Sequence, residues 1–238
     1  MNQKDRIIVA LDVDTADKAA DLVGKLRDSV GAFKVGLELV NSAGLGVFEK
    51  IKEAGAQRIF YDGKFHDIPN TVAGASRAAA GFGVWMFNIH CSGGSAMMRA
   101  ARDAAEETAR QKGLETPKVI GVTVLTSIDQ PTLEDELRVT GEVADQVVHL
   151  AKLAKDAGLD GVVASPLEVE AIREACGPDF LIVTPGVRPA GGDIGDQKRV
   201  MTPGEAVSKG SDYLVIGRPI TKADDPKAAA AAIAAELG

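Results

Sequence analysis

Short apolar runs rich in β-branched residues recur along the chain: "RIIVALDV", "AFKVGLEL", "RIFYDGKF", "VWMFNIHC", "KVIGVTVL", "GVVAS", "FLIVTPGV" and "YLVIGRPI", eight in all. None alternates strictly between apolar and polar positions, as a strand with one wet face would. Near-continuous apolar strands fit a parallel sheet covered on both faces, and every segment between two runs is long enough for a crossover helix. The boundary chemistry agrees. Thr15 stands where a cap would open "ADKAADLVGKLRDSV", Pro203 follows Thr202 as a first-turn proline follows its cap, and Gly158 lies just past "VADQVVHLAKLAKDA". The Ala-rich ending "KAAAAAIAAELG" reads as a last helix. Eight strand–helix units in 238 residues, with no Pro/Ser-rich linker or low-complexity insert, predict one (β/α)8 barrel spanning residues 1–238 rather than an open doubly wound sheet.

Composition narrows the function. A hydrophobic content of 45% can fill a barrel core, and a net charge of −7 with a pI near 5.1 argues against a nucleic-acid binder, which needs a concentrated basic surface. An anionic ligand would have to be held by a local cluster. Cys91 and Cys176 are far apart and lack metal-ligand spacing, so buried thiols are expected rather than a disulfide or a zinc site. The N-terminal stretch has no signal-peptide pattern, and no apolar run is long enough for a membrane span, which predicts a cytoplasmic protein.

Barrels of this class build their sites from the C-terminal ends of the strands and the loops beyond them. The polar residues there, in order, are Asp12, Lys34 within its strand, Asp62 with Lys64, His90, Thr126, Ser165, Arg188 and Arg218. In "YDGKFHDIPNT", Asp62 and Lys64 are two apart and so share a strand face, pointing into the barrel mouth, while Asp67 lies just beyond. A lysine among carboxylates stays protonated, because nearby negative charge opposes the effect of burial. Lys34 from the neighbouring strand would extend this into an alternating charge array. Spacing alone leaves a second reading open, in which Asp62 and Lys64 form a structural ion pair and Asp67 caps the next helix ahead of Pro69. His66 is expected to face solvent or make a local hydrogen bond rather than act as a catalyst, and His90 ends a strand without an identifiable partner.

Two later segments favour a site. The loops after the seventh and eighth strands of such barrels often bind phosphate. Arg188 and Arg218, with the backbone N–H groups around Gly217, suit a phosphate monoester, and the polar, glycine-containing stretch from 189 to 200 could close as a lid and bring Gln197 to the same phosphate.

Together these residues resemble the orotidine 5′-monophosphate decarboxylase family over nearly the whole chain. "DGKFHDIPNT" fits its Asp-x-Lys-x-x-Asp-Ile-Pro-Asn-Thr signature, "ALD" its first strand, "FKVGLEL" its second, "PGVR" and "DQKR" its seventh loop and "IGRPI" its last strand. The resemblance implies conversion of orotidine 5′-monophosphate to uridine 5′-monophosphate without metal or cofactor. It implies that Asp12 binds the ribose and that Lys34, Asp62, Lys64 and Asp67 form the charge network, with Lys64 the proton donor. It gives Thr126 the pyrimidine, and Arg188, Gln197, Gly217 and Arg218 the phosphate. It also implies a homodimer in which Asp67 and Thr71 reach into the partner's site. Two rivals stand beside it. One is a metal-dependent sugar-phosphate decarboxylase or aldolase sharing Asp-x-Lys-x-x-Asp; the other is a catalytically silent phosphate-ligand binder on the same scaffold.

Overall fold

A computed structural model of the chain describes residues 2–188 and 201–237. Eight parallel strands close on themselves in sequence order: β1 (Ile7–Ala10), β2 (Ala32–Val35), β3 (Ile59–Phe65), β4 (Met86–His90), β5 (Lys118–Val122), β6 (Gly161–Val163), β7 (Leu181–Pro185) and β8 (Tyr213–Ile216), with β8 paired back onto β1. Each falls within one of the apolar runs, and the closed (β/α)8 barrel is the expected architecture.

Helices cover the outside because the strands present apolar side chains on both faces. Ile7, Val9 and Leu11 join the layer between strands and helices, whereas Ile8 and Ala10 point inward with Ala32, Phe60, Met86, Ile120, Val183 and Val215. Each fully buried Ile, Val or Leu contributes roughly 1.5–3 kcal/mol relative to its exposed state. The helix signals also act locally. Thr15 accepts from the Lys18 N–H at the start of Ala16–Leu26, and Thr202 and Glu205 form a reciprocal capping box ahead of Pro203–Ser208. Gly158, with φ of +82°, leaves the helix Val143–Asp156 through the left-handed region. The Ala-rich ending forms Pro226–Glu236, capped by Asp225. Among the described residues no helix is long and apolar enough to cross a membrane.

Candidate active site

The period-2 alternation that fills the barrel interior also builds the site. Moving two residues along the inward face takes Ala32 to Lys34, Phe60 to Asp62 and Met86 to Asn88, so an apolar layer on three neighbouring strands is topped by polar side chains. They line one cavity with Lys64, Thr126 and an apolar wall that includes Val122, Val124 and Val163.

Asp62 is its electrostatic centre. Its Oδ2 lies 3.3 Å from Lys34 Nζ, and its Oδ1 accepts from Lys64 Nζ at 2.7 Å and from Asn88 Nδ2 at 2.7 Å. Lys34 Nζ also donates to Asp12 Oδ1 at 3.1 Å. Asp12–Lys34–Asp62–Lys64 is therefore a continuous array of alternating charge. Burial pushes the Asp62 carboxyl up, but Lys34 and Lys64 beside it, with the hydrogen bonds from Lys64 and Asn88, hold it below its ordinary value. Burial likewise pulls Lys34 down, yet Asp62 and Asp12 outweigh it and the ammonium's pKa is raised. Gly36 leaves room for that ammonium, since a Cβ there would stand 2.8 Å from Lys34 Nζ.

Strand geometry brings Asp62 and Lys64 together by a different route from simple alternation. Between Tyr61 and Phe65 on β3 the pairing with β4 advances only from Phe87 to Ile89, and Lys64 takes a left-handed backbone with φ of +47°. This bulge turns Lys64 back toward Asp62, as bulges at barrel rims re-aim side chains. Few non-glycine residues occupy that region, and those that do cluster at functional sites.

A second cavity adjoins the first, sharing Lys34, Pro185 and Val215, and is lined further by Asp12, Arg188, Gly217 and Arg218. Arg188 is buried, and its backbone N–H donates to Met201 O at 3.0 Å, tying the two described flanks of residues 189–200. Gln197 and the proposed lid, 189–200, lie outside the described residues. Arg218 opens the short helix Arg218–Thr221 immediately after Gly217.

The remaining expected residues lie apart. Asp67 and Thr71 are exposed, and Asp67 accepts from the Ile68 N–H at 2.6 Å. Ile68, not Asp67, occupies the cap of the helix Pro69–Gly81, so the capping alternative for Asp67 does not hold. Ser165 is buried, with Oγ accepting from Leu167 N, and lines neither cavity. His66 is exposed as expected, and its ring stands 5.3 Å from that of His90, the neighbour that sequence could not supply. Burial, then His66 and Lys64, lower the His90 pKa against the opposing pull of Asp62. Among the described residues no group of three or more His, Cys, Asp or Glu side chains is arranged to hold a metal ion.

Comparison with known proteins agrees with this geometry. The family described as "Orotidine 5'-phosphate decarboxylase / HUMPS family" matches residues 5–233. The chain belongs to that family. It is 57% identical over 237 residues to an orotidine 5′-phosphate decarboxylase of Moorella thermoacetica, covering 100% of this chain and 94% of that protein. A decarboxylase of the same name from Syntrophomonas wolfei is 50% identical over 238 residues, covering 100% of this chain and 99% of that one. The crystal structure of orotidine 5′-phosphate decarboxylase from Lactobacillus acidophilus superimposes with a TM-score of 0.86 at 42% identity, covering 98% of both chains. The family's chemistry is that of a carboxy-lyase.

Proposed function

We propose that the chain decarboxylates orotidine 5′-monophosphate to uridine 5′-monophosphate, the reaction named for its relatives, with the array around Asp62 as the reacting end and the arginine-lined cavity as the phosphate end. The observation that carries the reading is the Lys34–Asp62–Lys64 array at the barrel mouth, with Lys34 and Asp62 buried, Lys64 half-buried, and Lys64 Nζ and Asp62 Oδ1 2.7 Å apart.

Loss of CO2 from C6 of the pyrimidine leaves an electron pair in the ring plane, unable to spread into the π-system. The site must therefore stabilise charge at the carbon itself, which favours a fixed ammonium already oriented before reaction. Lys64 supplies it and then delivers its proton to C6. Asp62 orients Lys64, Lys34 holds Asp62 ionised, and Asp12 takes the ribose. Thr126 contacts the base. Arg188, Gly217, Arg218 and Gln197 take the phosphate, whose binding energy is used to fix the reacting end. The exposed positions of Asp67 and Thr71, away from their own chain's array, support a homodimer in which they serve the partner's site. Buried free thiols at Cys91 and Cys176 accord with a reducing, cytoplasmic setting.

The test is direct: mix the protein with orotidine 5′-monophosphate in EDTA and follow the pyrimidine absorbance. Turnover unaffected by the chelator is expected. Turnover that disappears with EDTA and returns with Mg²⁺ would refute the metal-free mechanism, and no turnover under either condition would favour one of the rivals, the metal-dependent sugar-phosphate enzyme or the silent binder.

A further inference from the structure

Asn88 has no role in the mechanism above, yet it is among the most thoroughly enclosed polar side chains of the site, 1% exposed between Phe87 and Ile89. Its amide bonds two residues of the β3 bulge, Asp62 and Lys64. Asn88 Oδ1 accepts from the Lys64 backbone N–H at 2.8 Å, and Asn88 Nδ2 donates to Asp62 Oδ1 at 2.7 Å. The same Asp62 oxygen accepts from Lys64 Nζ at 2.7 Å. A closed ring results: Lys64 main chain, Asn88, Asp62, Lys64 ammonium. The lysine is held at its root and at its tip, with asparagine as the link. The amide orientation follows from the partners, because the reverse would set an NH2 group against the Lys64 N–H.

We infer that Asn88 is a positioning residue for the decarboxylation, keeping Lys64 in its left-handed backbone and Asp62 in the rotamer that aims the ammonium; this rests on the roles proposed for Lys64 and Asp62. Both functions of the amide are needed. A left-handed backbone at a non-glycine residue persists only where its surroundings over-determine it, and here the bond to Asn88 Oδ1 is the polar contact that fixes the Lys64 N–H. A freely rotating lysine could still reach Asp62, but its ammonium would no longer be fixed before the charge develops at carbon. Pre-organisation is the quantity at stake, so the effect belongs in kcat.

Two variants separate positioning from mere structural support. Asn88→Ser is small and cannot hold both partners. Its kcat is expected to fall about 100-fold, the scale of a misplacement near 1 Å, while KM changes by less than about threefold, since the phosphate end is untouched. Its acid limb in kcat should move to higher pH, because Asp62 loses a donor that favours the carboxylate. Asn88→Asp keeps the acceptor for the Lys64 N–H and replaces the donor with a second carboxyl beside Asp62. The two carboxyls then share one proton, and only the protonated pair restores the missing O–H donor. Its kcat should fall as pH rises through the titration of the pair, a dependence the parent lacks.

Steady-state kinetics over pH, with circular dichroism and melting on the same preparations, decide the matter. Folded variants that keep kcat within threefold of the parent, or lose activity only in proportion to the folded fraction, overturn the inference. If Asn88→Ser does not fold, the pH dependence of Asn88→Asp decides alone, and failure of both to fold makes Asn88 a structural residue and equally overturns the inference. A parent chain inactive on orotidine 5′-monophosphate would instead sink the functional proposal itself.

Discussion

Replacing Lys34 by Met removes the charge at the centre of the array while keeping most of the side chain's stem. Lys34 and Asp62 side chains are only 10% and 12% exposed, with Nζ 3.3 Å from Oδ2. At that separation and an effective dielectric of about 20, the attraction is worth about 5 kcal/mol before desolvation. Much of this offsets the cost of taking both ions out of water, so the pair itself is no measure of stability. Leaving Asp62 buried without Lys34 is different: the expected loss is about 3 kcal/mol, toward the lower end for a broken buried pair because Lys64 and Asn88 still contact the carboxylate. Reversible urea unfolding, followed by the fluorescence of the single tryptophan, Trp85, measures it. Asp62→Leu in the Lys34→Met background should recover a large part, with a coupling of about 2 kcal/mol or more.

The pH dependence fixes the sign. In the parent, Asp62 titrates below its ordinary 3.8, so its contribution is present above that value and lost as pH falls through the folded pKa. Lys34 titrates above its ordinary 10.5, so its contribution is present below that value and lost as pH rises through the folded pKa. In Lys34→Met the chief opponent of burial at Asp62 is gone and its carboxyl pKa rises. Acid then neutralises the uncompensated charge, and the variant's deficit relative to the parent should shrink from about pH 7 toward about pH 4.5. A neutral-pH deficit under about 1 kcal/mol, or one that grows on acidification, would refute the view of Lys34 as the partner that keeps Asp62 ionised.

Lys64→Ala should leave the circular dichroism spectrum unchanged and nearly abolish turnover, since it removes the ammonium proposed to stand beside C6 and its proton; a folded variant with substantial activity would reassign the donor. Arg218→Ala should chiefly raise KM or lower kcat/KM for the phosphorylated substrate and hardly alter the slow turnover of a nucleoside lacking phosphate; equal losses on both would make it a structural arginine. In the proposed homodimer, Lys64→Ala and Asp67→Ala should each give a poor enzyme, yet after subunit exchange roughly a quarter of parental activity should return, because half the dimers are mixed and each has one site free of both lesions. No recovery despite verified exchange would locate Asp67 in its own chain's site.

Much of this was legible in the sequence because buried parallel strands leave a strong signature. All eight apolar runs became strands, and of the polar residues at or beyond their ends Asp12, Lys34, Asp62, Lys64, Thr126, Arg188 and Arg218 line the two cavities, whereas His90 and Ser165 do not. Lys34 and Asp62 follow from parity alone. Lys64 does not: alternation gives the right contact, but the backbone reaches it through a bulge and a positive φ that no hydrophobic pattern announces. Asn88 was missed although its signal was present. It has the parity of Met86 and lies one strand over from Asp62, but in a run of apolar residues a lone amide looks like a tolerated core polar group until its two partners are known. The His66–His90 neighbours were equally hidden, since they come from different strand ends.

The sharing of Lys34 between the two cavities bears on how remote binding could assist the reaction. The cavity of the arginines and that of the Asp62–Lys64 pair share Lys34, Pro185 and Val215 in their linings, so a ligand occupying both passes Lys34, which donates to Asp12 in the arginine cavity. Asp12 already accepts from Lys34 with one oxygen, while its side chain remains 54% exposed. A ribose hydroxyl donating to Asp12 would therefore enter the hydrogen-bonded chain that runs through Lys34 to Asp62 without displacing any of its members. In the proposed mechanism the phosphate fixes the sugar on Asp12, and with it the base against Lys64, so that affinity gained at one cavity is converted into orientation at the other.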